Sequence, residues 1–305
     1  MRARMRPDKR CTLAEAAALV RDGDTVALGG ALSYREPMAL VRELVRQGRR
    51  DLRLVGSAHG IDVDLLVGAG VAGVVEESYV GFEQDLGLAP AYRRAAQAGT
   101  VAVRETCCYT LLQQLRAAEY GLPFMPVRGI AGTGIRDLHP EYGEVRCPFT
   151  GQTLVAVPAL APDVALIHGL SADRRGNVHL RRPLVLDERF AHAAKRVVVT
   201  VERFADSDAV GEAGIVLPSF LVDAVVEAPL GAHPTSCYPH YTYDRAHLRE
   251  WVAAAATDGG VGDYLARYVA AGDETAYLEA VGTERLAGLA EWESSTQRWM
   301  ELASA

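Results

Sequence analysis

The sequence predicts an α/β fold: an open, mostly parallel sheet with crossover helices, followed by a C-terminal helical cap. Three observations carry this prediction. Over residues 1–130, short apolar runs alternate with stretches of helical period, the pattern of strand–crossover–strand units. The alternation resumes between residues 153 and 227. From about residue 244 to 300 the pattern is helical, with breaks expected at Gly259-Gly260 and Gly272.

The elements follow in order. Thr12-Leu-Ala-Glu15 is a capping-box pattern that opens an Ala-rich helix reaching about Arg21. Gly23-Asp24 breaks it, and 25–28 reads as a buried strand ending at Gly29-Gly30. Pro37 stands near the first turn of the next helix, where a missing N–H costs little. Strands are expected at 52–55, within 71–79 and at 100–103, and helices over 62–67, 89–98 and 106–120. Residues 136–152 are polar and carry Pro140, Gly143, Pro148 and Gly151, which reads as a long loop or lid. Strands then follow at 153–157, 164–168, 196–201 and 224–227, with a helix over 184–194. The expected organisation is one domain over 1–305, with an α/β core at 9–245 and a helical segment at 246–305. No internal repeat interrupts it.

Composition narrows the function classes. At 305 residues, with 49% hydrophobic and 23% charged, the chain is neither disordered nor collagen-like and can bury a sizeable core. A net charge of −7 argues against a phosphate-backbone binder, so no nucleic-acid partner is expected. Lysine occurs only at Lys9 and Lys195, a base-composition habit. No run of about 18 apolar residues is present, so no membrane span is expected. The basic start is followed by Glu15, Arg21, Asp22 and Asp24, a poor signal peptide. Five scattered cysteines, an odd count, suggest reduced thiols and a cytoplasmic setting.

Five motifs could carry chemistry. In Ala27-Leu-Gly-Gly-Ala-Leu-Ser-Tyr-Arg-Glu-Pro37, a strand ends in two glycines and a helix follows. Backbone amides there can approach an anion, or the glycines can simply make a tight turn. It is neither G-x-G-x-x-G nor a P-loop. Arg104-Glu105 follows the strand at 100–103 and precedes a helix. A carboxylate at that place suits nucleophilic or acid/base work. It equally suits an N-terminal helix acid stabilised by about 0.3–1 kcal/mol. Gly129-Ile-Ala-Gly-Thr-Gly134 is a second glycine loop. His233, Cys237 and His240 have spacings compatible with zinc, but Pro234 and Pro239 intervene and no fourth ligand stands nearby, so no metal is expected. In 167–177, His168 reads as a satisfied histidine ahead of a turn, and no G-x-S-x-G supports a hydrolase triad.

In combination these segments say more. Asp22-Gly-Asp-Thr-Val-Ala-Leu-Gly-Gly30, Arg35-Glu-Pro37, Gly121-Leu-Pro-Phe-Met-Pro126, Gly132-Thr-Gly134, the 164–177 segment and Val226-Glu-Ala-Pro-Leu-Gly-Ala-His-Pro234, with Cys237-Tyr238 and Tyr243-Asp244, form one ordered set. The set resembles the A (alpha) subunit of family I coenzyme A transferases, in the glutaconate CoA-transferase branch, over about residues 9–270. The resemblance implies the sheet these enzymes share with certain sugar-phosphate isomerases. It implies a beta subunit that completes the site in a hetero-oligomer, α2β2 being one arrangement left open. The substrates would be an acyl-CoA and a carboxylic acid, dicarboxylic or oxo. Coenzyme A would enter as a thioester substrate, with no cofactor permanently bound.

In such transferases a glutamate carboxylate attacks the thioester. A mixed anhydride forms, CoA thiolate returns to give an enzyme-bound CoA thioester, and the acceptor takes the CoA. That glutamate lies in a Glu-Asn-Gly motif of the beta subunit, and no Glu-Asn-Gly occurs here. Glu105 instead resembles the catalytic acid of relatives that hydrolyse ring CoA-thioesters in steroid breakdown, and other relatives decarboxylate. The alternatives are therefore a thioester hydrolase or a C–C lyase using Glu105, a non-catalytic scaffold and, last, an isomerase. The resemblance makes Gly29, Gly30, Ala31, Gly132, Thr133 and Gly134 the expected oxyanion and CoA-binding loops, with Gly29-Gly30-Ala31-Leu32 in place of the transferases' Gly-Gly-Phe-Gly. Arg35 is the candidate salt contact to a substrate carboxylate or CoA phosphate, or else a solvated charge at a helix start. Ser57 and His59 are the other candidate substrate-binding residues.

Overall fold

The computed structural model describes residues 8–291 and is built on an eight-stranded sheet. Across it the strands run Ala224–Glu227, Arg196–Phe204, Val164–Ala172, Thr25–Leu28, Leu52–Val55, Ala72–Glu76 and Ala102–Val103. Every pairing along this path is parallel, and Val178–His179 adds antiparallel to Val164–Ala172. Parallel strands are covered on both faces and so read as continuous apolar runs. Val164–Ala172 is buried at every position.

Alternation along the strands divides the core. Val26, Leu28, Leu54, Leu166 and Val198 face the helices Met38–Arg46 and Ile61–Gly68. Ala27, Val55, Ala165, Ile167 and Val199 face Cys108–Glu119 and Asp187–Ala193. The capping box of Thr12 and Glu15 is formed, but its helix ends at Ala17. A turn in which Arg21 N–H donates to Asp24 Oδ2 (2.9 Å) follows in place of the expected further turn. Just ahead of that helix, Lys9 lies under the sheet edge, its ammonium donating to Val222 O at 2.7 Å.

Two further expectations need correction. Residues 136–152 are not a plain loop or lid: they include the short helix end at Asp137 and the strand Gly143–Arg146. That strand completes a three-stranded antiparallel sheet with Thr153–Pro158 and Phe124–Val127. The polar tetrapeptide Gly-Glu-Val-Arg becomes a strand because of its neighbour, not its own propensity. Gly259-Gly260 is not a break: both lie inside the helix Asp258–Tyr268, which Thr257 caps. A Cβ on Gly260 would stand 2.2 Å from Ala254 O, so glycine here permits a close approach between successive helices. The break at Gly272 is present, between Tyr268 and Glu274.

The helices Arg245–Ala254, Asp258–Tyr268, Glu274–Val281 and Thr283–Ala290 pack into the first core. The part of the expected cap beyond residue 291 lies outside the described residues. Trp251 is fully buried and its Nε1–H donates to Asp64 Oδ2 at 2.8 Å. His233 and His247 meet Tyr277 OH (2.6 Å) and Tyr264 OH (2.7 Å). No helix among the described residues is long and apolar enough to cross a membrane.

The chain moves outward from Thr25–Leu28 to Ala102–Val103, then returns to Val164–Ala172 on the other side of the first strand. Connections therefore diverge between these two central strands, at the strand ends where open α/β sheets usually take their ligands.

Candidate active site

The crevice at that divergence is filled. Arg35, at φ 52°, turns its guanidinium inward to Asp187 (Nη2–Oδ2 2.9 Å), His168 O (3.0 Å) and Pro183 O (3.1 Å). Both side chains of the ion pair are 0% exposed. Arg35 is thus not presented to a ligand, and the expected substrate contact is replaced by a buried structural pair.

The first glycine loop is committed as well. Gly29 N–H donates to Leu166 O (2.8 Å), Gly30 N–H to Asp187 Oδ1 (3.0 Å) and Ala31 N–H to Tyr34 O (2.9 Å). The amides expected to hold an oxyanion serve the fold instead. Gly30 has φ 77°, and a Cβ there would lie 2.5 Å from the Arg35 backbone.

The neighbouring strand ends carry the polar chemistry. After Leu52–Val55 come Gly56, Ser57 and His59; after Ala72–Glu76 come Glu77 and Ser78; after Ala102–Val103 come Arg104 and Glu105. Ser57, His59 and Glu105 are therefore brought to one end of three adjacent strands, while Arg35 is not. Glu105 is exposed, and its backbone carbonyl accepts His139 Nε2–H at 2.8 Å. Arg104 turns to Glu76 (3.3 Å) and Glu141. With Arg53 it lines a hollow of about 420 Å³, where Glu76 and Glu141 already neutralise both guanidiniums.

Beneath Ser57 lies a buried acid cluster. His59 Nδ1–H donates to Asp62 Oδ2 at 2.6 Å, and Glu36 accepts Gly60 N–H (3.0 Å) and Asp62 N–H (3.3 Å). A Cβ on Gly56 would stand 2.2 Å from Glu77 Oε1 and 2.6 Å from His59 Nε2, so carboxyl and imidazole converge over one glycine. Burial pushes Glu77 up to about 8. Burial alone would lower His59, but Asp62 and Glu77 outweigh it and hold the imidazole at about 9. Burial and the adjacent Asp62 also push Glu36 well up. The consistent reading is an imidazolium–carboxylate pair, His59–Asp62, flanked by two neutral acids.

At the rim, Cys107 and Cys108 begin the helix Cys108–Glu119. Cys107 is its N-cap, the sulfur accepting Thr110 N–H at 3.4 Å. Cys108 is exposed and lies 2.9 Å from Ser78 Oγ. Burial raises its thiol, but hydrogen bonding with Ser57 and Ser78 outweighs that and leaves it below the ordinary value.

The second glycine loop stands apart on the surface. Gly132, Thr133 and Gly134 are exposed, and Thr133 N–H turns back to Ile130 O at 3.2 Å. A Cβ at Gly132 or Gly134 would meet nothing within 4 Å. The loop approaches the cleft where Gly129 lies against Tyr109.

The zinc spacing does not assemble a site: His233 pairs with Asp244 (3.1 Å) and Tyr277, whereas His240 is exposed. His168, Glu202 and Cys237 do lie close enough to share an ion, as do Glu36, His59 and Asp62. In both groups the donors are already bonded within the protein, His168 to Thr200 Oγ1 (2.9 Å) and Glu202 Oε1 (2.7 Å). Sequence reasoning missed Glu36, Asp62, Glu77, Ser78 and Cys108. The available signals were His59-x-x-Asp62 at one helical turn and a carboxylate at each of two neighbouring strand ends.

Residues 10–228 match the Coenzyme A transferase family. The chain is 37% identical over 244 residues to the A subunit of the 3-oxoadipate CoA-transferase of Pseudomonas knackmussii, covering 79% of this chain and 86% of that one. It is 33% identical over 301 residues to the A subunit of the glutaconate CoA-transferase of Acidaminococcus fermentans, covering 92% and 94%. The crystal structure of that organism's glutaconate CoA-transferase superposes with a TM-score of 0.88 over 92% of this chain and 95% of the other, at 32% identity. The cholesterol ring-cleaving hydrolase IpdA subunit of Rhodococcus jostii is 35% identical over 289 residues, covering 90% and 96%.

Proposed function

The chain belongs to the coenzyme A transferase family and is an enzyme of that type; from that premise we propose that it is the alpha subunit of a two-subunit transferase. It moves CoA between an acyl-CoA and a dicarboxylic or oxo acid, and a beta subunit closes the cleft. The observation that carries this reading is the likeness, over most of both chains, to the A subunits of two CoA-transferases.

The site geometry supports half a cleft. Glu105 and Cys108 are exposed at the ends of parallel strands, and the acids behind them are sealed. The family's attacking glutamate belongs to a Glu-Asn-Gly motif that this chain lacks, so the partner supplies it. The alpha subunit then frames the thioester and excludes water, which would hydrolyse the anhydride. Two easier acyl steps replace one difficult exchange. The test mixes this chain with its cognate beta chain, an acyl-CoA donor and a free acid. CoA exchange is expected, and a beta chain without a glutamate at the nucleophile position would refute the transferase reading.

One observation favours a second reading. Glu105 presents an exposed carboxylate at the edge strand, its backbone fixed by His139. Together with the likeness to a ring-cleaving hydrolase, this supports Glu105 as the base of a thioester hydrolase or C–C lyase. Glu105→Gln separates the two: collapse of turnover supports the lyase or hydrolase, and undiminished CoA exchange supports the transferase.

A further inference from the structure

We propose that Cys108 is an acyl-accepting nucleophile of this cleft, its sulfur taking the acyl group from a CoA thioester to form an enzyme thioester. The inference rests on the reading that the cleft receives CoA thioesters.

The geometry separates the two adjacent cysteines. Cys107 is spent on the fold, capping the helix through Thr110 N–H. Cys108 is exposed, three residues from Glu105, with its sulfur 2.9 Å from Ser78 Oγ. Ser78 Oγ–H in turn donates to Ser57 O, which ties the two strand-end loops together under the thiol. The first turn of a twelve-residue helix adds its amides to the same side.

A second feature points to a ligand. Glu77 is 5% exposed, and neither carboxyl oxygen has a hydrogen-bond partner among the described residues. Its carboxyl lies over Gly56, directly before Ser57, and its backbone directly precedes Ser78. A buried, unpaired carboxyl persists only as the neutral acid. That acid holds a proton with no acceptor, and a thioester carbonyl oxygen is an acceptor of the right kind.

The step balances without an added reagent. The Cys108 sulfur attacks the thioester carbonyl carbon, the carbon–sulfur bond to CoA breaks, and CoA leaves as thiolate. The proton released by Cys108 ends on that thiolate. One thioester replaces another, so the exchange is close to thermoneutral and reversible by CoA.

The test uses the complex of this chain with its partner. Acetyl-CoA and glutaryl-CoA are added as probes, the mixture is acid-quenched, and the peptides are mapped by mass spectrometry. The Cys108 peptide should gain the acyl mass, and added CoA should remove it. Cys108→Ser should abolish the adduct and slow turnover, while Cys107→Ser, which retains a capping oxygen, should keep both. Calorimetric binding of the CoA ester with no acyl mass on Cys108, or a Cys108→Ser complex that turns over like wild type, overturns the proposal and leaves the transferase reading standing. Absence of any CoA-ester binding overturns both.

Discussion

Replacing Asp187 by alanine tests whether Arg35 serves the fold or the substrate. The substitution leaves a guanidinium with 0% exposure facing no carboxylate. Removing one member of a buried pair costs about 3–5 kcal/mol. The Gly30 N–H loses its acceptor too, and an orphaned buried donor costs about 1–3 kcal/mol. Arg35 keeps His168 O and Pro183 O, which draws the total toward about 4 kcal/mol. Against a native stability of about 5–15 kcal/mol this is a large fraction. Urea unfolding followed by tryptophan fluorescence should show a lower midpoint at unchanged slope. The double variant Arg35→Met, Asp187→Leu should recover most of the loss, since an apolar pair of similar size needs no charge partner. Its residual deficit is the Gly30 amide. A loss in Asp187→Ala below about 1 kcal/mol, the range of exposed pairs, would refute the buried-pair argument. So would an Arg35→Met variant of normal stability that no longer binds CoA esters.

Other outcomes follow from the same geometry. Gly56→Ala should cost about 1–3 kcal/mol and disturb the cleft, because the new methyl meets Glu77 and the His59 ring at 2.2–2.6 Å; normal unfolding and turnover would contradict the convergence of those groups. Trp251→Phe should cost about 1–3 kcal/mol by leaving the buried Asp64 carboxyl without its indole donor, measured in the same urea titration. Burial, then the nearby His233, hold His247 well below the ordinary histidine range. The unfolded chain therefore protonates first, and stability should fall as pH drops below about 6.5. His59 works in the opposite sense: opposed by burial but raised by Asp62 and Glu77 to about 9, its contribution is whole below the unfolded value and lost as pH climbs through 9. A thermal midpoint that is flat across both windows would contradict these assignments.

Much of the fold was legible because its signals are local. The strands Thr25–Leu28, Leu52–Val55 and Ala224–Glu227 coincide with apolar runs bounded by turn residues, and the alternation with helices required a parallel sheet. Glu105 was legible as a carboxylate at a strand end. What escaped was set by partners far along the chain. Nothing near Arg35 announces Asp187, 152 residues away, and a charge at a helix start ordinarily points to water. The Gly29 and Gly30 amides looked available for the same reason. Glu77 falls in 71–79, where the sequence shows only that a strand is present; the stacking of neighbouring strand ends is what encloses it. Gly143–Arg146 became a strand through pairing with Thr153–Pro158, a contact its own polar residues do not foretell.

The sparse lysines have a practical consequence. Lys9 is enclosed, its ammonium bonded to backbone carbonyls, whereas the Lys195 side chain is 65% exposed beside Asp163. Lys195 precedes the strand Arg196–Phe204 and so stands at the N-terminal end of the parallel strands, opposite the strand ends that carry the cleft. An amine-reactive dye or tether directed to this chain's side chains should therefore attach at one place, on the far side from any bound thioester. Surface immobilisation through that handle would leave the mouth of the cleft open to solution.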